Sequence, residues 1–390
     1  GSQALLMSIF PASKRGLALA IWSMTTLIAP VLGPLLGGWI SDNYSWPWIF
    51  LINLPIGLFA AFICWTALAK QETPTQRLPV DLTGLALLVV WVGALQIMLD
   101  TGKDADWFQS TSIVLLALTA AVGFVAFLIW ELTDGHPIVD LSFFRKRNFV
   151  FGTAATCIGY AVFFGNVVIL PLWLQTQLGY TATWAGLVQA PSGIVALLVS
   201  PFVGRYINRY DARWFASFSF VTMAIAVYMR AQLNSQASFG DFVLPMLVQG
   251  VSMGFFFVSV ITISFDGIAP QQVPAATSIS NFLRIISGAF STSISTTVWE
   301  NRADLHQSRL AEATSLYDPT AQQALASAQG AGLTDSQTYA ALTRGLIEQA
   351  YMLSSLDYFF VTSGMALLIV TLVWFARRPR VTSGISAAGD

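Results

Sequence analysis

Apolar residues in this chain come in long blocks. Runs of membrane length cover roughly 16–40, 47–69, 82–99, 111–131, 149–173, 183–203, 213–231, 242–264, 274–299 and 352–376, with Pro, Gly, Asn or charged residues in the gaps. A helix rises about 1.5 Å per residue and a bilayer core is about 30 Å thick, so about 20 apolar residues cross it. The pattern predicts ten transmembrane helices and an all-α integral membrane protein.

The basic residues fall into register with these spans. With the N-terminus in the cytoplasm, thirteen face that side: Lys14, Arg15, Lys70, Arg77, Arg145, Lys146, Arg147, Arg205, Arg209, Arg213, Arg377, Arg378 and Arg380. Five face the other side: Lys103, Arg230, Arg302, Arg309 and Arg344. One miscounted span would scramble this positive-inside bias, so both ends of the chain are expected in the cytoplasm.

Composition narrows the function. Of 390 residues, 55% are hydrophobic and 10% charged, against about 25% charged in a soluble domain. A net charge of −1 gives no footprint for nucleic acid. Cys64 and Cys157 both lie in apolar runs and define no disulfide framework. His136 and His306 lie between runs, and there is no HExxH, no Cys/His cluster and no Gly-xxxx-Gly-Lys-Ser/Thr loop. An ATP-driven pump, a metal or cofactor enzyme and an intramembrane hydrolase are therefore not expected. The opening residues Gly1-Ser2-Gln3 carry no basic region ahead of an apolar core, so no signal peptide is expected there.

Polar and small residues inside the runs are the candidate chemistry. Ala29, Gly33 and Gly37 recur every four residues and form one smooth helix stripe, interleaved with Pro30 and Pro34 and followed by Gly38. A membrane helix tolerates this density of Gly and Pro because neighbours satisfy the freed backbone groups. Thr277, Asn281, Arg284, Gly288, Ser291 and Ser295 form a polar stripe along 274–299. A cation as deep as Arg284 costs about 2.5–3.5 kcal/mol to insert, so it is expected to face a cavity or a partner. Both readings stand: a substrate contact or modulator of an acidic site, or a structural hydrogen bond. Asn53, Asn166, Gln249 and Asn281 are further polar candidates for a cavity, and Phe163, Phe164 and Phe256 aromatic ones. Each also has a plain packing role open to it.

The segment A-xxx-G-P-xx-G-G over Ala29–Gly38 resembles the antiporter motif in helix five of major facilitator drug exporters. W-xx-I-F-x-I-N-x-P-x-G from Trp46 resembles the entry to helix six of the fourteen-helix branch. P-x-x-D-L-x-x-F-x-x-R-N-F from Pro137 is similar to the signature before its seventh core helix. Gly204, Arg209 and Arg213 match the family's cytoplasmic Gly-xxx-Asp-Arg gating loop, with Asn208 in place of the acid and Asp211 as its nearest substitute. The resemblance is to the EmrB-like drug:proton antiporters of that branch. It implies a major facilitator fold with ten of fourteen helices present. It also implies export of hydrophobic or amphiphilic drugs in exchange for protons, by alternating access in a bacterial inner membrane. On this reading the family's proton-coupling residues lie upstream of the sequence, which is expected to be partial. Export of a specific metabolite or siderophore, or a non-transporting scaffold or sensor, are the alternatives.

The expected organisation follows. Residues 1–69 are the rest of an N-terminal bundle, 70–80 a cytoplasmic linker, 81–131 an extra helix pair and 132–148 an amphipathic cytoplasmic segment. Residues 149–376 form a six-helix C-terminal bundle and 377–390 a cytoplasmic tail. The Ala29/Gly33/Gly37 stripe is expected to seal against that bundle. The outer loop 300–350 reads either as a dock for a periplasmic adaptor with its outer-membrane channel, or as a folded cap with no partner.

Overall fold

The computed structural model describes residues 10, 15–68, 81–135, 137–207, 209–313, 322, 323, 326 and 334–378. The linker 70–80, Asn208 and most of the stretch 314–333 lie outside the described residues. A helix stands at every predicted span: α1 (Arg15–Asn43), α2 (Trp48–Leu51) running into α3 (Asn53–Leu68), α4 (Leu82–Thr101), α5 (Thr111–Thr133) and α6 (Arg147–Thr176). They continue as α7 (Ala182–Tyr206), α8 (Ala212–Arg230), α9 (Phe239–Ser264), α10 (Val273–Ala313) and α11 (Asp335–Phe375). Among the described residues, eight helices are long and apolar enough to cross a bilayer. The polar stripe of α10 lowers its hydropathy, but its 41 residues are ample in length.

Local chemistry sets the boundaries. Asp81 caps α4 by accepting from the Gly84 amide at 2.8 Å, and reciprocal capping boxes start α9 (Ser238 with Asp241) and α11 (Thr334 with Gln337). Hydroxyls inside the spans bond back to their own helix, as Thr156 does to the Gly152 carbonyl and Ser200 to that of Ala196. This leaves few of them needing a partner in the apolar interior.

The core lies in α6–α11. Trp173 of α6, Phe220 of α8, Phe242 of α9 and Phe359 of α11 are fully buried, with Trp173 edge-on to both Phe242 and Phe359. α9 is the innermost helix and packs on α6, α7 and α8. α1 lies along α7 and touches α9, while no described side chain of α2 or α3 is buried. α4 and α5 form a hairpin in which Trp91 packs against Gly123. The hairpin reaches α10 through Gln96 on Ser293 at 3.1 Å and Lys103 on Glu300 at 2.6 Å. The hydrogen bond to Glu300 holds the Lys103 ammonium above its usual range, against the opposing effect of burial.

At the basic end of the bundle, arginines clasp the end of α11. Arg147 donates to the Phe375 carbonyl at 2.6 Å and Arg213 to that of Ala376 at 3.3 Å. The Arg377 amide donates to Asn148 at 2.6 Å, and Asn148 donates to Asp266 at 2.8 Å. Cations belong at a helix C-terminus, where the last carbonyls lack partners. The expected amphipathic segment is a tight 3-10 turn, Leu141–Arg145, pinned by Phe143, which is buried against Phe149. The outer stretch 300–350 begins and ends as extensions of α10 and α11 beyond their apolar runs.

Candidate functional site

Two features meet where α1 joins the C-terminal bundle. The first is the seam between α1 and α7. A Cβ at Gly186 would lie 2.6 Å from the Pro34 carbonyl oxygen and 2.8 Å from the Leu35 Cα. A Cβ at Gly38 would lie 2.6 Å from the Ala182 carbonyl carbon and 2.9 Å from the Thr183 amide nitrogen. The helices therefore approach backbone to backbone. At Gly33 and Gly37 an added Cβ meets nothing within 4 Å among the described residues. The contact runs along Pro34 and Gly38, one residue round from the expected stripe, a rotation of about 100°. Ala29 and Pro30 lie in α1, but their side chains are outside the described set. At the Asn43 end of α1, Asp42 accepts from the Thr183 amide at 2.8 Å and its hydroxyl at 2.6 Å. A carboxylate from one helix thus caps the first turn of the other, where the helix dipole favours negative charge.

The second feature is Arg284 on α10. It is 8% exposed, and its guanidinium lies over three rings: Tyr160 of α6 at 4.7 Å, Phe257 of α9 at 5.6 Å and Trp22 of α1 at 5.8 Å. Its Nε and Nη1 have no hydrogen-bond partner among the described residues. A cation over ring faces gains about 0.5–2 kcal/mol, and unpaired buried donors cost about 1–3 kcal/mol. The cage holds the charge in place and leaves one edge ready to donate. Phe163 and Phe164 extend it, since Phe164 lies tilted against Tyr160 at 4.4 Å and Phe163 meets Phe164 edge to face at 5.5 Å. Asn281, one turn before Arg284, is half-buried.

The other candidates sit elsewhere. Asn166 and Gln249 converge on Arg230, a fully buried arginine that the charge pattern assigns to the outer surface. Arg230 donates to Gln249 Oε1 and, at 3.4 Å, to Asn166 Oδ1, and lies 5.7 Å from the Phe359 ring. Asn166 also donates to the Val162 carbonyl at 2.8 Å. Among the described residues, amide oxygens and no carboxylate accept from this charge. The signal for it was two amides in apolar runs with no acid to explain them, while Arg230 itself closes an apolar run and reads as an interface residue. Asn53 is exposed and donates to the Ile49 carbonyl of its own chain segment at 3.1 Å. Phe256 is buried between Phe220 and Phe257 as core.

Of the loop residues, Gly204 is buried, Arg209 exposed and Arg213 half-buried. Asp211 caps α8 and pairs with Arg213 of its own turn at 2.8 Å. Burial acts to raise the Asp211 carboxyl, but hydrogen bonds from the Arg213 side chain and amide, with the charges of Arg213 and Arg378, outweigh it and hold it below its ordinary 3.8.

Residues 1–292 match the family described as Major Facilitator Superfamily. Multidrug export protein EmrB of Escherichia coli strain K12 is 43% identical over 379 residues, covering 97% of this chain and 74% of the relative. Fatty acid resistance protein FarB of Neisseria gonorrhoeae is 43% identical over 383 residues, covering 98% and 76%. Probable multidrug resistance protein EmrY of Escherichia coli strain K12 is 40% identical over 388 residues, covering 98% and 75%.

Proposed function

This chain belongs to the Major Facilitator Superfamily, and on that premise we propose that it exports hydrophobic and amphiphilic drugs across the bacterial inner membrane in exchange for protons. The observation that carries this reading is the Arg284 cage. Its three rings offer apolar and cation–π surface, and the free Nε and Nη1 edge offers donors to an acidic or electron-rich end of a substrate. One relative is named for fatty acid resistance, and a carboxylate on an apolar tail has that combination of ends.

The way the cage is shared supports alternating access. Trp22 belongs to α1, whereas Tyr160, Phe257 and Arg284 belong to the C-terminal bundle. Rocking α1 along α7 would draw Trp22 away from Arg284 and open the cage. The Asp42 cap and the Gly38/Gly186 approach hold that end of the seam closed, which supports reading this conformation as outward-closed. Both ends of the described chain lie in the cytoplasm on the positive-inside argument. A periplasmic adaptor and its outer-membrane channel would meet the extensions of α10 and α11, which carry the chain past its apolar runs on the opposite side.

The test is resistance, and proton flux, in an efflux-deficient host expressing the protein from its full-length gene. Arg284→Gln should lower resistance to amphiphilic acids about 10- to 100-fold, as expected for losing a hydrogen bond to a charged partner. Addition of such a drug to proteoliposomes should release protons from the unmutated protein only. Unchanged resistance in Arg284→Gln together with no drug-dependent proton movement overturns the proposal.

A further inference from the structure

A second site, sharing no residue with the Arg284 cage, lies at the basic end of the bundle. The loop between α7 and α8 and the end of α11 border an open hollow of about 710 Å³. Its charged lining is Arg209, Arg213 and Arg378 against the single acid Asp211. Asp211 is 9% exposed and already neutralised by Arg213 at 2.8 Å. Arg378 stands 3.6 Å from Asp211 with its side chain 71% exposed, and Arg209 is exposed, with no side-chain ion pair among the described residues. The hollow therefore keeps an unneutralised excess of positive charge.

Its walls are aromatic. Trp214 and Trp374 meet edge to face at 5.0 Å, and the Arg213 guanidinium lies 5.0 Å from the Trp374 ring. Trp214 is 64% exposed and Trp374 40%. Trp374 is the last turn of a membrane-length run and Trp214 the first turn of another. That is the depth at which tryptophan rings border lipid headgroups. Arginines above a pair of tryptophans match a molecule with a phosphate at one end and acyl chains at the other.

We propose that this hollow seats the headgroup phosphate of an anionic phospholipid, held by Arg209 and Arg378 with its glycerol and first acyl carbons against Trp214 and Trp374. The site is separate from the Arg284 cage and stands whether or not the chain exports drugs. The Asp211–Arg213 pair is the scaffold of the hollow: it fixes Trp374 and the α8 cap and leaves the two outer arginines for the lipid.

The test uses the intact protein in nanodiscs containing brominated phosphatidylglycerol or brominated phosphatidylcholine. The Trp214 signal is the fluorescence difference between unmutated protein and Trp214→Phe. Phosphatidylglycerol should quench it at a lower mole fraction than phosphatidylcholine, by about 5-fold for each of the two arginines. Arg209→Gln/Arg378→Gln should bring the two lipids together, with Asp211–Arg213 untouched. Arg205→Gln removes one exposed charge outside the hollow and should leave the preference in place. Inorganic phosphate in excess should displace nothing. Equal quenching by both lipids, an equal loss in Arg205→Gln, or relief of quenching by inorganic phosphate would each overturn the proposal. Thermal unfolding of the double variant near that of the unmutated protein excludes a folding defect as the cause of lost quenching.

Discussion

Replacing Gly186 by alanine tests the seam between α1 and α7. The new Cβ would stand 2.6 Å from the Pro34 carbonyl oxygen and 2.8 Å from the Leu35 Cα, where ordinary contact begins at 3.4 Å. The obstacles are backbone atoms, which cannot swing aside like a side-chain end. The helices must part by 3.4 − 2.6 = 0.8 Å or more at that point. Overpacking of this kind costs about 1–3 kcal/mol, and here the cost falls on the closed seam alone. The closed conformation should lose about 5- to 150-fold in population relative to any state in which the seam is parted. Spin labels at Tyr44 and Trp184, exposed residues at the outer ends of α1 and α7, read this directly by pulsed dipolar spectroscopy. Unmutated protein should give a short, narrow distance distribution, and Gly186→Ala a longer and broader one. Gly33→Ala, where an added Cβ meets nothing within 4 Å, is the control and should leave the distribution unchanged. If Gly186→Ala keeps the narrow distribution, or Gly33→Ala broadens it equally, the assignment of the seam to the Pro34/Gly38 side is wrong.

Two further predictions concern the bundle itself. Gln249→Leu leaves the Arg230 charge short of an acceptor and should destabilise the protein by about 1–3 kcal/mol. Arg230→Met/Gln249→Leu removes charge and acceptor together and should recover most of that loss in thermal melts. Asp211→Asn weakens the α8 cap and the pair with Arg213, and should cost about 1 kcal/mol in the same assay. Because the folded Asp211 carboxyl lies below its ordinary 3.8, its contribution is present above that value. It fades as pH falls through the folded value, so the difference between Asp211→Asn and unmutated protein should shrink only under strongly acid conditions.

The helices were legible because burial in lipid demands long apolar runs, and α6 and α9 begin and end close to where those runs do. Arg284 was legible by depth: a cation about 16 Å along a span has no cheap location other than a cavity. Its cage was not, because Trp22, Tyr160 and Phe257 come from three other helices whose relative rotation no spacing encodes. The same ignorance of rotation explains the seam. A four-residue step marks both the Gly33/Gly37 stripe and the neighbouring Pro34/Gly38 stripe, and only the position of α7 distinguishes them. Asp42 and Thr183 are 141 residues apart, and their contact has no local signature. Arg230 was misread because a basic residue closing an apolar run ordinarily snorkels to the interface, whereas here Gln249 and Asn166 give it an interior berth.

The arginine clasp on α11 has a practical consequence for handling the protein. The last two carbonyls of the bundle, those of Phe375 and Ala376, are the acceptors that tie α11 to the starts of α6 and α8. A shortened gene must therefore retain the chain through Arg377, whose amide completes the tie to Asn148. Affinity tags and fluorescent fusions joined beyond Arg378 leave the clasp intact, whereas a junction cut back into Trp374 or Phe375 would remove the carbonyls to which Arg147 and Arg213 donate and loosen the three helices together.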